Sequence, residues 1–153
     1  MIPRRAVLLL PAARLLRAGV DEEIRDVLAV IASALADNNL LNVFAQFDPA
    51  MPDLALLRTH LEALTAQAAV ASSVVVAEGA QEEDRYNAVL DWMMEIRPFA
   101  VGAKLERRRE RVRCSFRKER RKWRITALEP VAFFAPLKPS ANAAPPAPPI
   151  PWA

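Results

Sequence analysis

A chain of 153 residues accommodates one domain of ordinary size, and 53% hydrophobic with 25% charged residues is enough to bury a core, which excludes wholesale disorder. One cysteine, Cys114, excludes a disulfide scaffold, and with His60 as the sole histidine a structural zinc site of the Cys/His kind is excluded too. The net charge of +3 is uneven: residues 1–19 hold four arginines and no acid, residues 20–103 hold fourteen acids against four arginines, and residues 104–124 hold twelve Lys and Arg against three Glu.

Residues 1–18 have the order of a secretory signal: a basic start at Arg4 and Arg5, an apolar run over residues 6–13, and Ala18 as a small residue before the domain. The arginine pair before an apolar run matches a twin-arginine export signal, so residues 1–19 predict export to a periplasm or the medium. The alternative is a cytoplasmic protein with an amphipathic leader. No other stretch approaches the ~20 continuous apolar residues of a membrane helix, so no membrane span is expected after signal removal.

Residues 21–37 predict an amphipathic helix with Asp21 as its N-cap, because Ile24, Val27, Leu28, Ile31 and Leu35 recur at three and four. A further helical turn or two over residues 40–47 stops at Asp48-Pro49. A third helix opens at Asp53, with Leu54, Leu57, Leu61 and Leu64 on one face. The period then changes. Residues 70–78 read as a strand, residues 79–84 as an acidic connection, and residues 85–97 alternate most cleanly, with Leu90, Trp92, Met94 and Ile96 on one face. Residues 98–102 form a loop, residues 103–117 a third strand, residues 118–122 a charged turn, and a last strand runs from Trp123 to Phe133 and Phe134, with Pro130 at an edge or bulge. Seven of the eighteen residues 136–153 are proline, so residues 137–153 predict an extended, poorly ordered tail.

Helices first and antiparallel strands after argue for an α+β domain with the helices packed on one face of a curved sheet. The long helix over 21–37, the turn over 40–47 closing on Asp48-Pro49, the helix over 54–66, the charged hairpin followed by Trp123 and Ile125, and the segment 130–134 together resemble the nuclear-transport-factor-2-like (SnoaL-like, ketosteroid-isomerase-like) superfamily. The resemblance spans residues 20–136 and implies a cone-like fold enclosing a pocket, in an exported bacterial member. It also implies that homodimers are common. The superfamily includes isomerases, dehydratases, cyclases and non-enzymatic binding domains, so fold alone does not set function.

Isomerase chemistry needs a carboxylate base in an apolar pocket and a donor for the oxyanion. Asp48 and His60 are the candidate catalytic residues. Asp48 suits a turn or cap better than a base, and His60 has no nucleophile or carboxylate partner that the sequence identifies. Tyr86, the sole tyrosine, sits at a strand start, so the oxyanion pair of isomerases has no counterpart. The reading therefore leans to a non-catalytic domain that binds a small apolar ligand in the cone or a protein partner, itself included, through the sheet face. An isomerase or dehydratase and an electrostatic scaffold built on the basic hairpin are the alternatives. Pocket candidates are Phe44, Phe47, His60, Trp92, Met94, Cys114 and Trp123, which are apolar or polarisable and fall on inward faces.

Asp91 and Glu95, on the opposite strand face to Trp92, are expected to pair across the sheet with the arginines at 107–113. Nucleic acid is not expected as a partner, because Phe116 and Trp123 fit the inward alternation and leave no stacking platform. With only Gly19, Gly79 and Gly102 there is no phosphate loop, and neither cofactor nor metal is expected.

Overall fold

The computed structural model describes residues 5–139, with side chains from Gly19 onward. The basic start at Arg4, the side chains of the apolar run over 6–13 and the proline-rich stretch over 140–153 lie outside the described residues. Three helices, α1 (Arg5–Ala36), α2 (Leu40–Phe44) and α3 (Leu54–Gln67), precede four strands. These are β1 (Ala68–Glu82), β2 (Arg85–Pro98), β3 (Glu106–Glu119) and β4 (Lys122–Glu129). A short 3-10 helix (Val131–Phe134) follows. The strands form one antiparallel sheet in the order β1-β2-β3-β4, and the helices cover one of its faces, as the sequence leads one to expect of the α+β class.

The sheet is built from consecutive hairpins, so its register is fixed locally. Trp92 pairs with Val74 on β1 and Glu110 on β3, and Phe116 pairs with Ile125. A bulge at Ala77 in β1 and another at Thr126 in β4 each interrupt the ladder by one residue, which bends a strand and tightens its twist. Alternation then sorts the side chains. Tyr86, Ala88, Leu90, Trp92, Met94 and Ile96 of β2 all point to the helices and are buried. They meet Ile24, Leu28, Ile31 and Leu35 of α1 and Leu57, Leu61 and Leu64 of α3, the positions that the three-and-four spacing picks out.

Several boundaries differ from the sequence reading; β1 starts at Ala68 rather than 70, and α2 stops at Phe44 rather than 47. The first helix does not begin at Asp21 but is continuous from Arg5: the Ala, Leu and Arg of residues 5–18 are strong helix formers, set against Pro11 at about 3 kcal/mol and Gly19 at about 1 kcal/mol relative to Ala. Asp21 is therefore no N-cap. Its carboxylate accepts a 2.8 Å hydrogen bond from the Tyr86 hydroxyl. The first strand continues through Glu82, since residues 78–82 remain paired with β2. The third strand begins at Glu106 rather than 103. The last strand stops at Glu129, where Pro130 supplies no ladder N–H, and Phe133 and Phe134 lie in the 3-10 helix instead of a strand. The tail is also tied down at its root: the Leu137 N–H donates to Gln67 Oε1 at 2.8 Å, and Leu137 packs on the core.

Candidate functional site

Aromatic packing fills part of the inside of the cone. Trp92, 1% exposed, has the Phe134 ring edge-on at 5.0 Å and the Phe133 ring at 6.4 Å, and those two phenyl rings meet at 5.1 Å. Arg108 fastens this plug from β3: its Nη1 donates to the carbonyls of Phe133 at 3.0 Å and Ala135 at 2.6 Å. Trp92 Nε1 and Ser72 Oγ are buried without a hydrogen-bond partner among the described residues. Trp92 is legible in the sequence but its plug is not, because two adjacent phenylalanines after a proline fit a strand as well as a turn of helix.

Among the pocket candidates, Phe47, Trp92, Met94, Cys114 and Trp123 are buried, while Phe44 and His60 are half-buried. They do not converge on one space. Phe44 and Phe47 stack at 6.1 Å on the α2 side, and Arg58 lies over the Phe44 ring at 4.7 Å. Cys114 backs a depression on the other face of the sheet, and Trp123 backs a cleft at the β4 edge. The Cys114 thiol is buried among apolar neighbours and burial pushes its pKa far up, so it is present as the neutral thiol, a poor nucleophile.

The catalytic candidates Asp48 and His60 share no hydrogen bond or ion pair among the described residues. Asp48 serves a turn and a tether: Oδ1 accepts from the Ala50 N–H at 2.9 Å and Oδ2 from Arg117 Nη2 at 3.4 Å. His60 has no hydrogen-bond or ion-pair partner among the described residues, whose set also holds no cluster of three His, Cys, Asp or Glu fit to bind a metal. No helix is long and apolar enough to cross a membrane among those residues.

The face of the sheet turned away from the helices is the most distinctive surface. Across it run Val75, Asp91 and Arg111, then Ser73, Met93 and Arg109, then Ala71, Glu95 and Arg107. Val75 is 59% exposed and Met93 41%. The expected cross-strand pairs form: Arg109 grips Asp91 with Nε at 3.0 Å and Nη2 at 2.7 Å, and Arg107 Nε reaches Glu95 Oε1 at 3.1 Å. Those two hydrogen bonds hold the Asp91 carboxyl below the ordinary aspartate range. Further along, Glu78, Asn87, Val89, Arg113 and Ser115 rim an open depression of about 400 Å3 floored by Gly79, Ala88 and Cys114. Asn87 and Ser115 are joined there by a 2.9 Å hydrogen bond.

At the opposite corner, Glu23 of α1 braces the root of the β3–β4 hairpin. Its Oε2 accepts from Trp123 Nε1 at 2.6 Å and from Lys118 Nζ at 3.4 Å. No sequence signal marks this bridge, since its partners are 100 residues apart.

No family model matches the chain, and no curated protein matches it. Solved structures do resemble it. A conserved protein from Planctomyces limnophilus superposes with a TM-score of 0.66 at 12% identity, over 72% of this chain and 94% of that one. A nuclear-transport-factor-2-like protein with a cystatin-like fold from Novosphingobium aromaticivorans gives 0.61 at 20% identity, over 79% and 86%. A type 2 hexachlorocyclohexane dehydrochlorinase gives 0.60 at 9% identity, over 75% and 86%. The chain thus has the nuclear-transport-factor-2-like fold, a class that holds enzymes as well as proteins of unknown function. Identities this low show the fold and nothing finer.

Proposed function

We propose that this chain is a non-catalytic interaction domain whose outer sheet face binds a protein, a second copy of the chain in the first instance. The observation that carries this reading is the outer face itself: Val75 and Met93 stand exposed at 59% and 41% in its middle, between small residues on β1 and a row of arginines on β3. Three strands at about 4.8 Å spacing and a dozen residues at about 3.4 Å give a plan area of roughly 600 Å2, near what one side of a standard interface covers. The face is also two-signed, apolar and acidic toward β1 and β2 and cationic along β3, so a two-fold related copy meets opposite charge.

The cone interior supports this choice by contrast. A small-ligand site needs a concave space with a few convergent polar groups, and here Trp92, Phe133 and Phe134 pack against one another in the interior and are buried. A general base needs reach to a substrate proton, and Asp48 is engaged by Ala50 and Arg117.

Sedimentation across a wide concentration range tests the reading. The wild type is expected to form dimers that Val75→Lys with Met93→Lys converts to folded monomers. A wild type that stays monomeric at every concentration, or a double variant that still dimerises, overturns it.

A further inference from the structure

β4 is the last strand of the sheet, and only part of its outer edge is used. Ile125 is fully engaged there: its N–H donates to the Gln46 carbonyl at 2.9 Å, and its carbonyl accepts from the Asp48 N–H at 2.8 Å. Main-chain groups two residues apart in a strand point the same way. The register agrees, because the two-residue turn makes Glu119 and Lys122 a hydrogen-bonded pair, which leaves Trp123, opposite Lys118, with its N–H and C=O turned outward like those of Ile125. Among the described residues neither group of Trp123 has a backbone partner on that edge. The edge opens on a cleft of about 520 Å3, with Glu23, Asp26 and Gln46 on one wall and Arg121, Lys122 and Arg124 on the other.

The charges around this edge are divided. At the hairpin root the cations are neutralised: Arg117 binds Asp48 and Glu119, and Lys118 binds Glu23. Beyond the root, Arg120, Arg121, Lys122 and Arg124 form no ion pair among the described residues. The turn holds Arg120 at φ 47° and Arg121 at φ 71°, left-handed conformations that two-residue hairpins ordinarily give to Asn and Gly. Two arginines in place of the low-strain residues put extra positive charge at the lip of an open strand edge, an outlier that points to use.

We propose that the β4 edge at Trp123 accepts an extended acidic peptide as a fifth strand. Lys122 and Arg124 project from the outer face about 6.7 Å apart, the spacing of side chains two residues apart in an added strand, so they meet carboxylates at alternate positions. The residue between those carboxylates faces Asp26 and is therefore not acidic. Strand addition supplies main-chain hydrogen bonds and the alternating charges supply selectivity. A continuous polyphosphate fits less well: Asp26 and Glu23 oppose it across the cleft, and the aromatic rings that base stacking needs, Phe116 and Trp123, are buried.

The test is fluorescence anisotropy of a labelled peptide of alternating Glu and Thr against the full chain, at low and high salt. Binding is expected, weakened by salt and by about tenfold in Lys122→Glu, as loss and reversal of charge pairs implies. Arg124→Glu is expected to act likewise. Lys122 is exposed, so its variant keeps the test valid if the half-buried Arg124 variant fails to fold. The same peptide N-methylated at the amides that would meet Trp123 is expected to lose binding. No binding of the parent peptide, equal binding of the methylated one, or tighter competitive binding of duplex DNA overturns the proposal.

Discussion

The two faces of the central hairpin β2–β3 are written in the same alternation and come to opposite ends. Inward residues Leu90, Trp92, Met94, Val112 and Cys114 vanish into packing, and outward residues Val89, Asp91, Met93, Arg109 and Arg111 make a patterned surface. The inner face is filled from far away in sequence, by α1, α3 and the segment after β4. The outer face, by contrast, is organised by its own cross-strand neighbours. Thus the inner face carries the stability, and the outer face is left free to carry recognition. This division would be broken by an inner substitution that proved harmless, or by an outer one that unfolded the chain.

The largest expected effect is inside. Trp92→Ala removes the ring that Phe133 and Phe134 pack against and leaves a cavity that rigid neighbours cannot close, at about 3–5 kcal/mol. Urea denaturation should show a chain close to its unfolding threshold at room temperature. A loss below about 1 kcal/mol would mean that the cone interior is loosely packed after all, and would revive the pocket reading.

Gly79→Ala comes next. A Cβ there would collide with the Tyr86 hydroxyl, which cannot swing aside without giving up Asp21 and its packing against Phe116 and Trp123. Overpacking of this kind costs about 1–3 kcal/mol. Thermal melts of Gly79→Ala, with and without Tyr86→Leu to clear the space, should show that the second change reduces the cost of the first.

Tyr86→Phe is smaller and has a pH signature. Losing a hydrogen bond to a carboxylate costs about 1–3 kcal/mol at neutral pH. Burial, and then the Asp21 hydrogen bond and charge, push the Tyr86 phenol up from 10.0 to about 12. A group whose folded pKa lies above its unfolded value stabilises fully below the unfolded value and loses that contribution as pH rises through the folded one. The stability gap between wild type and Tyr86→Phe should therefore be constant below pH 10 and shrink from there toward pH 12. A gap that does not change across this window would place the phenol in water.

Legibility in the sequence followed the range of the forces. Alternation along β2 and the three-and-four spacing of α1 and α3 are local, so the sheet face, the helix faces and the α+β order were all readable. So were the Asp91 and Glu95 pairings, because alternation puts the acids of β2 and the arginines of β3 on one face. The start of α1 was not readable: Ala, Leu and Arg favour helix whether or not they belong to a leader, and Asp21 looks like a cap until Tyr86 claims it. Nor was the state of the cone. Whether a pocket exists depends on volumes summed over distant segments, and Trp92 says nothing by itself of Phe133 and Phe134 more than forty residues later. The outer-edge vacancy at Trp123 escaped for the same reason, since it depends on where α2 ends and which β4 residue it caps.

The smallest effect tests the outer face most directly. Asp91→Asn removes an exposed carboxylate that Arg109 holds with two hydrogen bonds and leaves every buried contact in place. The pKa of Asp91 is lowered by those hydrogen bonds, so its contribution to stability is present above the unfolded value of 3.8 and is lost as pH falls through the folded one. Replacement should lower the neutral plateau slightly and flatten the acid arm of the stability curve, so that the two chains converge at acid pH. The same change frees Arg109 on a face that we assign to a second copy of the chain. Its effect on dimer dissociation should therefore exceed its effect on unfolding, and sedimentation and denaturation of one variant give both numbers. Equal effects on the two would mean that the outer face is only the solvated back of the core.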